Sequence, residues 1–250
     1  MLARHIKFGV AILALCATGL VHAGTAMQAH EPEPQRISTH FEVSTRGTTS
    51  QRLEREVLQV LETWHHRYMV MFESEPMGPI PVILYPRRTF HGSTGAPHWA
   101  DGVYDSDGAI HAAIGGVARV GAGLERLLAH ELAHAFINHL SGGRAPRWLQ
   151  EGLAQALADS RPVKPPVHPR VGATRPDLLD YEGTLRFTQH LLSIHATATI
   201  RDTLADMGTG RSIDAAFQAR LGGTPVELLA AWSAREERLA HQQMMMEPTP

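Results

Sequence analysis

The stretch from Leu124 to Leu140 constrains this chain most. Leu124, Leu127, Leu128, Leu132, Ala135 and Phe136 recur at helical spacing, which predicts a helix with an apolar face. Gly115, Gly116, Gly121 and Gly123 precede it, and Ser141-Gly142-Gly143 closes it. The glycines do not follow the G-x-G-x-x-G spacing and no phosphate-binding Lys comes after them, which excludes a nucleotide loop. Within this helix stand His130, Glu131 and His134. Residues four apart share one helix face, so both imidazoles can reach a common point from a single turn.

Two imidazoles with a carboxylate beside them suit a metal ion. Zinc in catalytic sites takes three protein ligands and leaves the fourth position to water, whose pKa it lowers towards about 7. Glu131 could then receive a proton as a general base. The pentapeptide is short, so its helical context carries the argument. A third ligand is needed. A His at 140 is absent, since Leu140 stands there, and His139 points off the metal face. Cys16 is the sole Cys, so thiolates are no alternative. The better candidate is Glu151, in Trp148-Leu149-Gln150-Glu151-Gly152-Leu153-Ala154. The separation lets one helix end, turn, and return as a second helix, Arg147 to Asp159, with Pro146 at its start. The small residues Gly152 and Ala154 would let the two helices approach. Gln155 and Asp159, one and two turns further on, could orient a ligand.

The rest of the chain frames this pair. Arg4 and Lys7, an apolar run from Phe8 to Leu20, and Val21-His22-Ala23 read as a secretory signal over residues 1–23. The run is short for a membrane span, so no stable anchor is expected after cleavage at Ala23. Residues 24–36, with Glu31-Pro32-Glu33-Pro34, read as a flexible leader. The net charge of −2 and the lack of a Lys/Arg run exclude a nucleic-acid binder. Alternation at Ile37, Thr39, Phe41 and Val43 predicts a strand, and Leu53 to Tyr68 a helix behind the N-caps Thr48 to Ser50. His65 and His66 on that helix are expected at the surface. A strand is predicted at Val82–Tyr85, a loop over 86–101, and a hairpin of Gly102–Asp105 with Ala109–Ile114. Asp101, Asp105 and Asp107 are turn residues rather than a calcium loop, because Ala112 occupies the position where such a loop needs Glu. The proline-rich residues 160–178 form a long loop. Helices follow over 181–195, 197–208, 212–221 and 224–242, with 243–250 as a disordered tail.

Taken together, His130–His134 and Trp148–Ala154 resemble the gluzincin branch of the zincin metallopeptidases. In particular they resemble small exported proteins with a peptidase MA-like domain. The resemblance spans roughly residues 37–233 and includes Gly210-Arg211-Ser212-Ile213-Asp214-Ala215-Ala216-Phe217 followed by Trp232. It implies His130, His134 and Glu151 as zinc ligands and Glu131 as base. It also implies a short mixed sheet whose edge strand, Ala109–Ile114, holds extended peptide by strand addition. Aminopeptidase relatives place a Tyr in a Tyr-Glu-Lys-Gly segment on the oxyanion. Tyr181-Glu182-Gly183 matches that in part, since Lys is missing and Gly comes one position early. The Gly-x-Met-x-Asn exopeptidase segment of those relatives is absent.

The expected fold is therefore α+β and zincin-like over residues 37–242. It has a small mixed sheet, an active-site helix at the junction, and a helical C-terminal part closing the cleft. The expected activity is that of an exported, periplasmic or secreted zinc metallopeptidase acting on a peptide or protein substrate. The rivals are a non-catalytic zinc- or peptide-binding module and a zinc hydrolase of some other bond. With no Gly-x-Ser-x-Gly present, a serine hydrolase has no support.

Overall fold

The computed structural model describes residues 36–47, 49–158 and 173–246, apart from the side chains of residues 181, 243, 244 and 246. The predicted signal and the 24–36 leader lie outside this description except for Arg36, which belongs to a strand and not to a leader, and Asp159 and most of the proline-rich loop lie outside it as well. Among the described residues no helix is long and apolar enough to cross a membrane.

The architecture is mixed α and β, with one five-stranded sheet and eight helices among the described residues. Strands β1 (Arg36–Ile37), β2 (Phe41–Thr45), β3 (Ile80–Tyr85), β4 (Gly102–Tyr104) and β5 (Ile110–Ala113) lie in the order β1-β2-β3-β5-β4. The inner pairs β2/β3 and β3/β5 are parallel, and the outer pairs β1/β2 and β4/β5 are antiparallel. Strand β5 is thus paired on both sides, and the edge beside it is β4. This corrects the expectation that Ala109–Ile114 is the edge. Helix α2 (Arg87–Thr94) connects β3 to the hairpin, so β5 can return parallel to β3, and its partner β4 is left outermost.

One sheet face buries Phe41, Val43, Val82, Leu84, Ile110 and Ala112 against helices α1 (Gln51–Phe72) and α3 (Ala122–Ser141). Helix α1 starts where Ser50 accepts the Leu53 N–H at 3.1 Å. Its apolar stripe Leu53, Val57, Leu61, Trp64, Tyr68 and Phe72 is buried. Helix α3 stops at Gly142, whose φ of 56° suits glycine and turns its N–H back to Asn138 and His139 carbonyls. Two polar bonds seat α3 on α1: Tyr68 donates to the Ala129 carbonyl at 3.1 Å and Trp64 to Glu125 at 3.3 Å.

After residues 142–146 the chain folds back as α4 (Arg147–Ala158), packed along α3. Helices α5 (Tyr181–Ile194), α6 (Thr197–Gly208), α7 (Ile213–Leu221) and α8 (Pro225–Met246) complete the C-terminal part. Trp148 of α4 meets Phe187 of α5 at 5.8 Å and Phe217 of α7 at 6.0 Å, while Phe187 meets Trp232 of α8 at 5.5 Å. These aromatic rings form the seat on which α4 rests. Further segments differ from the sequence pattern, among them a 3-10 turn at Pro176–Leu178 inside the expected 160–178 loop. Residues 86–101 contain helix α2 (Arg87–Thr94), and α8 continues to Met246, past residue 242.

Candidate metal centre

The α3–α4 hairpin brings His130, His134 and Glu151 together. Their ligand atoms lie within 4.8 Å of one another. The two Nε2 atoms are 3.2 Å apart, and Glu151 Oε2 is 3.7 Å from His130 Nε2 and 4.0 Å from His134 Nε2. The two imidazole rings stand edge to face at 83°, with their Nε2 atoms turned towards each other.

Glu131 lies beside the trio beneath the edge strand. Its carboxylate accepts the Tyr104 backbone N–H, and only 5% of the residue is exposed. Gly102 makes this possible. A Cβ there would lie 2.5 Å from Glu131 Oε1 and 2.7 Å from Leu127 Cδ1. Burial pushes the Glu131 carboxyl up to about 7. The Glu151 charge adds to the rise, against the charge of His130 and the Tyr104 N–H. Burial acts oppositely on His134, pushing it down to about 4 with help from His130 and against Glu151. Glu151 is raised by burial, but the neighbouring His130 and the charges of His134 and Arg147 outweigh this and hold it below its ordinary value.

These groups line a cleft of about 1100 Å³. Its walls include the β4 edge from Gly102 to Tyr104, Trp99, Leu127 and Leu185, and its charged lining includes Arg126 and Arg147. Sequence reasoning missed Gly102, the Tyr104 N–H and both arginines. The arginines had a signal, since each stands four residues before a residue of the trio. Tyr181 opens α5, but its side chain lies outside the described residues. Gln155 is buried next to the cleft, and neither of its amide atoms has a hydrogen-bond partner among the described residues.

Other polar clusters serve different ends. Asp105 accepts the N–H groups of Asp107 and Ala109, both at 2.9 Å, and meets His111 Nε2 at 2.7 Å, which is turn chemistry as expected. The expectation for the histidine pair on α1 holds for His66 only. His65 is 2% exposed and stacks on His40 at 3.9 Å. It is buried because α1 packs on the sheet and on α3 at once, which widens its inward face. His40, His65 and Glu75 also gather potential ligand atoms. Their two rings lie within 12° of parallel, so the lone pairs run side by side and do not converge on one ion.

No protein-family model matches the chain, and no curated protein matches it.

Proposed function

We propose that this chain is an exported zinc-dependent hydrolase of peptide bonds, zincin-like in fold, with gluzincin-type ligands His130, His134 and Glu151. The observation that carries the reading is the convergence of two imidazole nitrogens and one carboxylate oxygen beside a buried carboxylate in an open cleft. Tetrahedral zinc with bonds of 2.0–2.1 Å sets its ligands about 3.3 Å apart. The separations of 3.2, 3.7 and 4.0 Å bracket that value. The donor set of two nitrogens and one oxygen suits zinc, and burial keeps His134 neutral above about pH 4.

When bound, zinc would polarise the peptide carbonyl and lower the pKa of a water at the open position. The chain's own residues do the rest. His130 and His134 bind through Nε2 and Glu151 through Oε2. Glu131, titrating near neutrality, accepts a proton on a carboxylate oxygen and returns it to the leaving amine. Gly102 and the Tyr104 N–H hold that carboxylate against β4. The remainder of the β4 edge can pair with an extended substrate backbone. Tyr181, four residues before the cleft residue Leu185, is assigned the oxyanion.

Metal analysis and peptide hydrolysis test this together. The purified protein should carry one zinc per chain and lose it in Glu151→Ala. Glu131→Gln should keep the zinc and lose at least a hundredfold in turnover. Turnover that survives a chelator, or that persists in Glu131→Gln above a small percentage of wild type, refutes the reading.

A further inference from the structure

Arg126 and Arg147 are the unabsorbed charges of the cleft. Both are exposed and both line it. Neither makes a hydrogen bond or ion pair among the described residues, and Arg147 acts on Glu151 only through its charge. Arg87 on the rim differs, because it is held by Asp101 at 3.0 Å. Nor do the two arginines belong to a generally basic surface, since the chain's net charge is −2.

Their positions are specific. Arg126 precedes His130 by one helical turn, and Arg147 precedes Glu151 by one turn. Because α4 folds back along α3, the start of each helix lies towards the opposite end of the hairpin. Arg126 and Arg147 therefore flank the trio from opposite directions. Four residues of helix span about 6 Å, and an extended chain advances about 3.3 Å per residue. Each arginine is thus rooted one helical turn from a residue of the trio, an offset equal to about two residues of extended substrate. Guanidinium forks match carboxylates, and free, solvated ones can capture them without breaking an internal pair.

We infer that the cleft selects peptides with acidic side chains within about two residues of the cleaved bond on both sides, read by Arg126 and Arg147. This rests on the peptidase reading above and adds a substrate class to it. A terminal carboxylate alone would engage one arginine and leave the other idle.

Binding separates this inference from that reading. The probe is a fluorescein-labelled ten-residue peptide of alternating Ala and Glu, compared with its Ala–Gln counterpart. Anisotropy is measured on Glu131→Gln protein as purified. The Glu peptide should bind at least tenfold tighter at low salt, with the advantage shrinking as salt rises. Arg126→Glu and Arg147→Glu should each cut the advantage at least threefold, and the double reversal should abolish it. Both arginines are exposed, so the variants should fold, and circular dichroism checks this. Equal binding of the two peptides, or an advantage that both reversals leave intact, overturns the inference. Cleavage of a mixed peptide pool by wild type is read separately. An acidic preference in binding without any cleavage would sink the peptidase reading while leaving the acidic site standing. Cleavage without that preference would do the opposite.

Discussion

Replacing Glu131 with Gln should stabilise the metal-free protein at pH 8 and leave its stability at pH 4.5 nearly unchanged. Glu131 is 5% exposed and its carboxyl rises from a pKa of 4.5 to about 7 on folding. A group whose folded pKa lies above its unfolded value binds more protons in the folded state. Its contribution is therefore intact below pH 4.5 and is lost as pH climbs through about 7. At about 1.4 kcal/mol per pH unit, keeping this carboxylate charged inside the protein costs about 3 kcal/mol above neutrality. Gln has nearly the same shape, still accepts the Tyr104 N–H, and carries no charge to bury. His134 works in the opposite sense. Its folded pKa of about 4 lies below the ordinary 6.5, so it adds stability as pH rises through that window. The two effects largely offset each other in the wild-type profile, and only the difference between variant and parent isolates Glu131. Thermal melts in chelator should show Glu131→Gln melting roughly 6–12 °C higher at pH 8 and close to wild type at pH 4.5. A difference in melting temperature that stays constant between those pH values would refute the claim that burial raises this carboxyl.

Two further outcomes follow from close contacts. Gly102→Ala should displace the Glu131 carboxylate, because the new methyl would sit 2.5 Å from Oε1. Peptide turnover should fall on the order of 10–100-fold with little loss of melting temperature, and steady-state kinetics beside a thermal melt separate these effects. Gly152→Ala should destabilise by about 1–3 kcal/mol, because the added methyl would run into Thr188 Oγ1 and force α4 and α5 apart. Thr188 Oγ1 is buried without a hydrogen-bond partner among the described residues, so adding Thr188→Ala should recover part of that loss in a denaturant-unfolding double-mutant cycle.

Local features were legible in the sequence, and features set by long-range packing were not. The His130–His134 spacing needs only helix geometry. Glu151 was within reach because the short segment 142–146 allows α4 to return along α3. The four C-terminal helices were readable from their breaks at His195-Ala196, Gly210 and Gly222-Gly223. Helix α2 was hidden because it buries Phe90 alone and so shows no period. The place of β5 inside the sheet was hidden because strand order depends on pairing between distant segments. Trp148, Phe217 and Trp232 could be singled out as letters, but their meeting around Phe187 follows only from the folded arrangement. Gly102 is one glycine among many until Glu131 is seen beneath it.

The distances at the centre also bear on whether the trio is merely a set of histidines salt-bridged to a carboxylate. Where this chain pairs a histidine with a carboxylate, it does so closely: His40 Nδ1 meets Glu62 at 2.7 Å and His111 Nε2 meets Asp105 at 2.7 Å. Glu151 stays about one ångström further from both imidazoles, beyond hydrogen-bond reach. A comparable gap occurs around Glu75, but there the histidines already occupy themselves by stacking face to face. At the centre the rings stand edge to face with their nitrogens turned inward, and burial keeps His134 uncharged at neutral pH, which weakens its pull on Glu151. The positions are imposed instead by the supporting elements. Helix α1 fixes α3 through Tyr68 and Trp64, the aromatic seat fixes α4 through Trp148, and β4 fixes Glu131 through Gly102 and Tyr104. Two separate parts of the fold thus hold apart the imidazoles and Glu151, the proposed metal ligands, and a third places Glu131. That is the arrangement preorganisation requires, and a salt bridge formed for stability alone would have no use for it.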